Sequence, residues 1–288
     1  MTRIPGDSLI DDIKFILDGS PARVIDVGCH LGDTSRHYLE AFPSCELWGF
    51  EAEAKNFARA QTALAAYGER VHLFCNAVSS QSGPVTLNVN SHDGTHSMFE
   101  IGDQRYWAAH AAPLEARTVT SVRLDDALAE IGAAPIDLLH MDIQGAELDA
   151  LRGAERLLRE RRIRLIYAEV EIFPLYRDQP LLWDLGQFLT AHGFRFYSFY
   201  DRYYHANNPR ALSWADALFI CDELTQVPEH APAQTDHETE VASLPAQGPS
   251  GVDLKANIPI EVAVDPAPPQ TGTVRRAARW LWRVLNAR

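Results

Sequence analysis

Residues 24–35 read VIDVGCHLGDTS, and this stretch constrains the fold more than any other. Val24, Ile25 and Val27 are β-branched and run together without alternation, as in a strand covered on both faces. Gly28 and Gly32 then end the strand, and a helix follows, with Asp33 or Thr34 as its expected N-cap. Glycines at such a junction let backbone approach a ligand, and the free N–H groups of the helix start point at its polar parts.

The same alternation repeats downstream. CELWGFEAE reads as a second strand, AKNFARAQTALAAYG as a helix closed by Gly68, and VHLFCNAVS as a third strand. Strand, helix, strand, helix, strand predicts an α/β fold, a mostly parallel central sheet with helices on both faces. From Ser80 to about Val122 the texture changes to SGPVTLNV and EARTVTSVRL, which predict a small β insertion. RLDDALAEIG predicts a helix and IDLLHMDIQ a fourth core strand. GAELDALRGAERLLRE predicts a helix interrupted near Gly153, since glycine is a poor interior residue. RLIYAEVEIF is a fifth core strand, PLLWDLGQFLTAHGF a helix with Gly193 at its C-cap, and FRFYSFY and DALFICD an expected antiparallel edge.

Four segments result. Residues 1–20 form a helical lead-in, with an amphipathic helix at about Ser8 to Leu17, and residues 21–224 form the main domain. Residues 225–273 are rich in proline, alanine and acids and are expected to be a disordered linker. Residues 274–288 read VRRAARWLWRVLNAR, a basic amphipathic helix suited to an anionic membrane surface, a protein partner or the chain's own acidic body.

Composition narrows the function classes. The 288 residues carry a formal net charge of −13, which disfavours a nucleic-acid partner. RERRIR, residues 159–164, is read as a solvated helix end. Cys29, Cys45, Cys75 and Cys221 are widely spaced and form no zinc or disulfide pattern. The N-terminus has acids where a signal peptide would carry its apolar core, and no apolar run approaches the roughly 20 residues of a membrane span. The expected location is the cytoplasm, with peripheral contact at the inner membrane surface through residues 274–288 as an added option.

Two cofactor classes use a strand–glycine–helix junction. A dinucleotide loop wants G-x-G-x-x-G, and here His30 stands where the middle glycine belongs, crowding a pyrophosphate. The alternative pattern, strand-D-x-G-x-x-x-G, suits S-adenosylmethionine and is met by Asp26, Gly28 and Gly32. Glu51 ends the second strand, where an acid can accept both ribose hydroxyls. Its bland alternative is a helix cap or a solvated carboxylate.

VIDVGCHLGDTS, FEAE, NAVSSQSG, SVRLDD, IDLLHMDIQGAELDALRGAERLL and YAEVEIFPLY occur in this order. In these motifs, over roughly residues 20–222, the chain resembles the FkbM family of S-adenosylmethionine-dependent methyltransferases, most specifically in DIQGAE. The resemblance implies a Rossmann-like methyltransferase fold that transfers methyl groups to hydroxyl oxygens of sugars, glycans or secondary metabolites. It implies that Asp26, Gly28, His30 and Gly32 belong to the cofactor loop, that Glu51 takes the ribose, and that Asn76 and Ala77 flank the adenine. Gln144 stands where many members carry glutamate, which weakens a catalytic role for that position.

Methyl transfer to an alcohol needs alignment and help in removing the hydroxyl proton. Along IDLLHMDIQGAE, His140 and Asp142 alternate onto one face, Asp142 at the carboxyl end of the strand. Glu147 opens the next helix, and Glu169 and Glu171 end the neighbouring strand. His140, Asp142, Glu147 and Glu169 are the catalytic candidates, and Asp142, Glu169 and Glu171 the candidates for a divalent metal such as magnesium. SHDGTHSMFE is read as a lid or an ordinary polar loop, with His92, His96 and Ser97 facing the acceptor in the first case. An NAD-dependent enzyme on the same fold and a non-catalytic binding module are the alternatives.

Overall fold

The computed structural model describes residues 5–102, 111–129, 134–205 and 208–225, and every structural statement below concerns these residues. The expected basic helix, and the expected linker beyond Thr225, lie outside them. In chain order the strands are β1 Arg23–Val27, β2 Glu46–Phe50, β3 Val71–Phe74, β4 Ala77–Val78, β5 Gly83–Asn90, β6 Pro113–Val122, β7 Ile136–Met141, β8 Ile163–Glu171, β9 Phe194–His205 and β10 Asn208–Cys221. The helices are α1 Leu9–Ile16, α2 Asp33–Ala41, α3 Ala54–Leu64, α4 Leu124–Ala127, α5 Glu147–Arg152, α6 Glu155–Arg159, α7 Leu182–Ala191 and α8 Asp222–Thr225.

Among the described residues the central sheet has seven strands in the order β3-β2-β1-β7-β8-β10-β9. β1 pairs in parallel with β2 and β7, β2 with β3, and β7 with β8, whereas β10 is antiparallel to both β8 and β9. The chain therefore steps outward from β1 to β3 and then returns to the other side of β1. At such a reversal the crossover helices leave in opposite directions and open a crevice at the carboxyl ends of the strands. The crevice lies between β1 and β7, which carry VIDV and IDLLHM.

The sheet is apolar on both faces. Ile25, Val27, Leu139, Met141, Ile166 and Ala168 pack on one side. Val24, Leu138, Leu165, Leu218 and Ile220 pack on the other with Tyr38 and Phe42 of the α2 region. This explains the unbroken apolar runs, because successive residues alternate between two cores. Helix α1 joins the second core through Ile13, and its buried Asp12 accepts hydrogen bonds from the Gly6 N–H at 2.8 Å and from the Tyr200 hydroxyl of β9.

Several local expectations are corrected. The N-cap of α2 is Gly32, at φ +84, and no side chain caps the helix. Helix α3 ends at Leu64, and Gly68 lies in a following 3₁₀ segment. The cap of α7 is His192, with Gly193 next to it at φ +75. The break at Gly153 is real, but its cause is packing: a Cβ there would meet the Ser79 carbonyl oxygen at 2.1 Å. The late strands are longer than their motifs, and β10 is inserted between β8 and β9. In RERRIR the helix end at Arg159 to Arg161 is exposed as expected, while Arg161 also donates to the His192 carbonyl at 2.7 Å and Arg164 of β8 to Asp137 at 3.0 Å. The β insertion is the three-stranded sheet β4-β6-β5.

Candidate active site

The crevice encloses about 730 Å³, counted to its open mouth. Val27, Gly28 and His30 line it from β1 and the loop after it, Phe50 to Ala52 from the end of β2, and Asn76 to Val78 from the end of β3 and β4. Asp142 to Gln144 close it from the end of β7, and Gly94, His96 and Ser97 from the insertion.

Gly28 is the point where three strand ends meet. Its N–H donates to the Phe50 carbonyl of β2 at 2.9 Å. Its φ is +87, and a Cβ would meet the Asp142 carbonyl oxygen, at the end of β7, at 2.0 Å. The close approach that demands glycine is thus to the chain's own backbone. The loop then turns through His30 at φ +49. The His30 N–H donates to Glu51 Oε2 at 2.9 Å, while Glu51 Oε1 accepts from the Glu53 N–H at 2.8 Å. Helix capping is done by Glu53, which accepts from the N–H groups of Lys55 and Asn56. Glu51 is left facing the crevice, and burial raises its pKa to about 7.

Asp26 and His140 sit beneath the crevice and do not line it. Asp26 is fully buried and accepts from Ser35 Oγ at 2.5 Å, and His140 Nδ1 lies 2.8 Å from Asp26 Oδ1. His140 also stacks on Tyr167, with ring centroids 5.4 Å apart. Burial pulls the His140 pKa down, but the hydrogen bond and charge of Asp26 outweigh it, and the net shift is upward. The pair forms a buried, hydrogen-bonded strut between β1 and β7.

The acids divide into two ranks. Asp142 is exposed at the crevice floor, and its Oδ1 accepts from Gln144 Nε2 at 2.9 Å. The same Gln144 nitrogen donates to Glu169 Oε2 at 2.8 Å. Tyr176 Oη lies 2.8 Å from Gln144 Oε1, and Ser97 Oγ donates to the Gln144 carbonyl at 2.7 Å. An amide nitrogen can donate to two carboxylates, whereas a glutamate here would add a third acid. Gln144, discounted in the sequence, is the residue that joins Asp142, Glu169 and the SHDGTHSMFE segment. Behind it Glu147 is buried and accepts the Ile143 N–H at 2.9 Å, bracing the DIQGAE turn from within. Burial and the charge of Glu171 raise the Glu147 pKa well above the usual carboxylate range. Burial and neighbouring acids do the same for Glu169.

Within SHDGTHSMFE, His96 and Ser97 line the crevice, and His92 instead accepts the Gly94 N–H at 3.4 Å. Asp216 of β10, not singled out in the sequence, lies directly opposite Glu169 and accepts from the Tyr167 hydroxyl at 3.0 Å. An acid inside the apolar run WADALF was the available signal. Among the described residues no three His, Cys, Asp or Glu side chains converge as a set able to hold a metal, so Asp142, Glu169 and Glu171 are not brought together in that way.

Residues 26–196 match the sequence profile of the methyltransferase FkbM domain. The chain belongs to the FkbM methyltransferase family. FkbM-family membership makes it a methyltransferase, and the strand order agrees with the Rossmann-like fold expected for one. The chain is similar to 2-O-methyltransferase NoeI of Sinorhizobium fredii strain NGR234, at 29% identity over 177 residues covering 58% of this chain and 70% of that protein. It is also similar to the crystal structure of magnesium protoporphyrin IX methyltransferase from Synechocystis PCC 6803 with bound S-adenosylmethionine. That match has 14% identity and a TM-score of 0.42, and it covers 74% of this chain and 77% of that one. The METTL16 methyltransferase domain matches with 12% identity and a TM-score of 0.44, over 74% and 66% of the two chains.

Proposed function

We propose that this chain is an S-adenosylmethionine-dependent O-methyltransferase acting on a hydroxyl of a sugar, a glycan or a secondary metabolite. The observation that carries the proposal is the pairing of two unlike walls across one crevice. One wall holds Glu51 and a buried His30 Nε2 with no hydrogen-bond partner, and the other holds Asp142 and Gln144.

The first wall fits S-adenosylmethionine. Each Glu51 oxygen accepts one backbone N–H, and a carboxylate oxygen has room for a second donor, so both ribose hydroxyls can be taken. Asn76 and Ala77 line the same crevice and would flank the adenine. The orphaned His30 nitrogen points to a polar group of the ligand, since a buried polar atom is rarely left unsatisfied. When bound, this cofactor supplies an activated methyl group on a sulfonium. The side chain of His30 in the loop also disfavours the dinucleotide alternative.

On the second wall Asp142 is the carboxylate that an acceptor hydroxyl can reach, and it takes the proton at its carboxylate oxygen. Gln144 fixes the position of Asp142, and Glu169 behind it anchors Gln144. Kinship with a 2-O-methyltransferase supports oxygen as the atom methylated. Calorimetry with S-adenosylmethionine and with NAD, followed by transfer of a labelled methyl group to cell extract, tests the reading. Binding of S-adenosylmethionine alone and label in an ether are expected. Preference for NAD, or label on nitrogen or carbon, refutes it.

A further inference from the structure

Beyond the crevice, one face of the sheet carries groups of which the reaction above uses only Glu169. Register places Glu171, Trp214 and Tyr203 side by side across β8, β10 and β9, with Glu169, Asp216 and Tyr200 in a neighbouring row. Residues directly opposite on adjacent strands share a face. The rings of Tyr203 and Trp214 are stacked, with centroids 4.9 Å apart and planes at 13°. Both side chains are partly exposed and belong to neither hydrophobic core. The register slips on each side of Trp214, and such irregularities re-aim side chains beside active sites.

The carboxylates beside the stack connect to the crevice. Glu169 is one hydrogen bond from Gln144, which lines it. Glu171 is 2% exposed, lies beside the Gln179 side chain, and keeps its Oε1 without a hydrogen bond next to Trp214 in the register. Tyr203 feels this acidic surround: burial, then the charges of Asp216, Asp201 and Glu169, raise its pKa.

We propose that the Tyr203–Trp214 stack is a platform for the pyranose ring of a carbohydrate acceptor, whose hydroxyls donate to Glu169, Glu171 and Asp216. A pyranose ring has a face of C–H groups, which suit the negative face of an aromatic ring, and a rim of hydroxyl donors, which suit carboxylates. A flat phenol offers the face without the full rim, and an open-chain polyol offers the rim without the face. The platform rests on the O-methyltransferase reading and selects the sugar class within it.

Saturation-transfer NMR on the chain loaded with S-adenosylhomocysteine tests this. The probes are methyl glucoside, methyl galactoside and methyl rhamnoside, with sorbitol and catechol as controls. At least one pyranoside is expected to bind, with saturation concentrated on the C–H groups of one ring face. Tyr203→Leu and Trp214→Leu are expected to weaken that pyranoside about tenfold, as loss of an aromatic contact implies. Trp214→Phe, which keeps a stacked ring, is expected to hold within about threefold. Calorimetric affinity for S-adenosylhomocysteine stays unchanged in all three variants. Equal pyranoside binding by the leucine variants, no pyranoside binding, or tighter binding of sorbitol or catechol overturns the platform. If the chain then methylates a non-sugar hydroxyl, the proposed function stands without it. Failure of the unmodified chain to bind S-adenosylhomocysteine overturns both.

Discussion

Replacing Gly28 by alanine tests whether the strand ends are as tightly joined as described. Gly28 and Gly32 have almost the same left-handed backbone, at φ +87 and +84. That conformation costs a non-glycine residue about 1–2 kcal/mol at either site. What differs is the neighbour. At Gly32 a new Cβ would meet Leu64 Cγ at 3.1 Å, a side-chain contact that a shift of a few tenths of an ångström relieves. At Gly28 it would meet the Asp142 carbonyl oxygen at 2.0 Å, and that oxygen belongs to backbone held by the Asp142 N–H bond to Val27. The gap has to open by about 1 Å, and forced repacking of this kind adds about 1–3 kcal/mol. Gly28→Ala is therefore expected to lose about 2–5 kcal/mol and Gly32→Ala about 1–2. Urea unfolding of both variants, followed by optical methods, measures the difference. Equal losses would show that backbone strain alone explains both glycines and would refute the three-strand junction.

Four further outcomes are expected. Asp142→Asn should lower kcat by about 10²–10⁴-fold with S-adenosylmethionine affinity unchanged, and an unaltered kcat removes Asp142 as the base. Gln144→Leu leaves Glu169 Oε2 without its donor and the Tyr176 hydroxyl with only the Thr95 carbonyl, so a loss of about 1–3 kcal/mol in urea unfolding is expected, together with a lower kcat. Asp26→Ala strands His140 and should cost about 3–5 kcal/mol; because the His140 pKa is raised by folding, the pair's contribution is full below the unfolded pKa and disappears as pH rises through the folded one. Glu51, with a folded pKa of about 7, favours the fold when protonated, so its contribution declines as pH rises from about 4.5 to 7; conversely, S-adenosylmethionine should bind more tightly as Glu51 ionises between about pH 6 and 8, a dependence that Glu51→Gln abolishes in calorimetric titrations.

The residues legible in advance were those whose role follows from local pattern. VIDVG and GFEAE announce buried strands that end at a ligand, and Glu51 follows from its place at the end of the second one. DIQGAE marked the turn after β7. What stayed hidden depends on contacts between distant segments. Nothing in residues 24–35 reveals that Gly28 must clear a carbonyl more than a hundred residues away. His140 and Asp26 looked like active-site groups because their neighbours in sequence are, yet both lie two residues short of the strand ends at Gly28 and Asp142, where they bond to each other. Gln144 was discounted because its residue type departs from an acid. Its value lies in being an amide between two acids, visible only once β8 is laid beside β7.

The insertion of β10 between β8 and β9 has a consequence for synthesis. A ribosome delivers β8 before the hairpin that covers it, so until residue 221 has emerged β8 has an open edge with apolar groups on both faces. Any nascent chain cut short before β10 exposes a ready template for aggregation. The last strand to arrive also carries Trp214 and Asp216. Quality control and assembly of the acceptor side thus depend on one late event, and a chain stalled before it has a cofactor crevice with an unfinished flank.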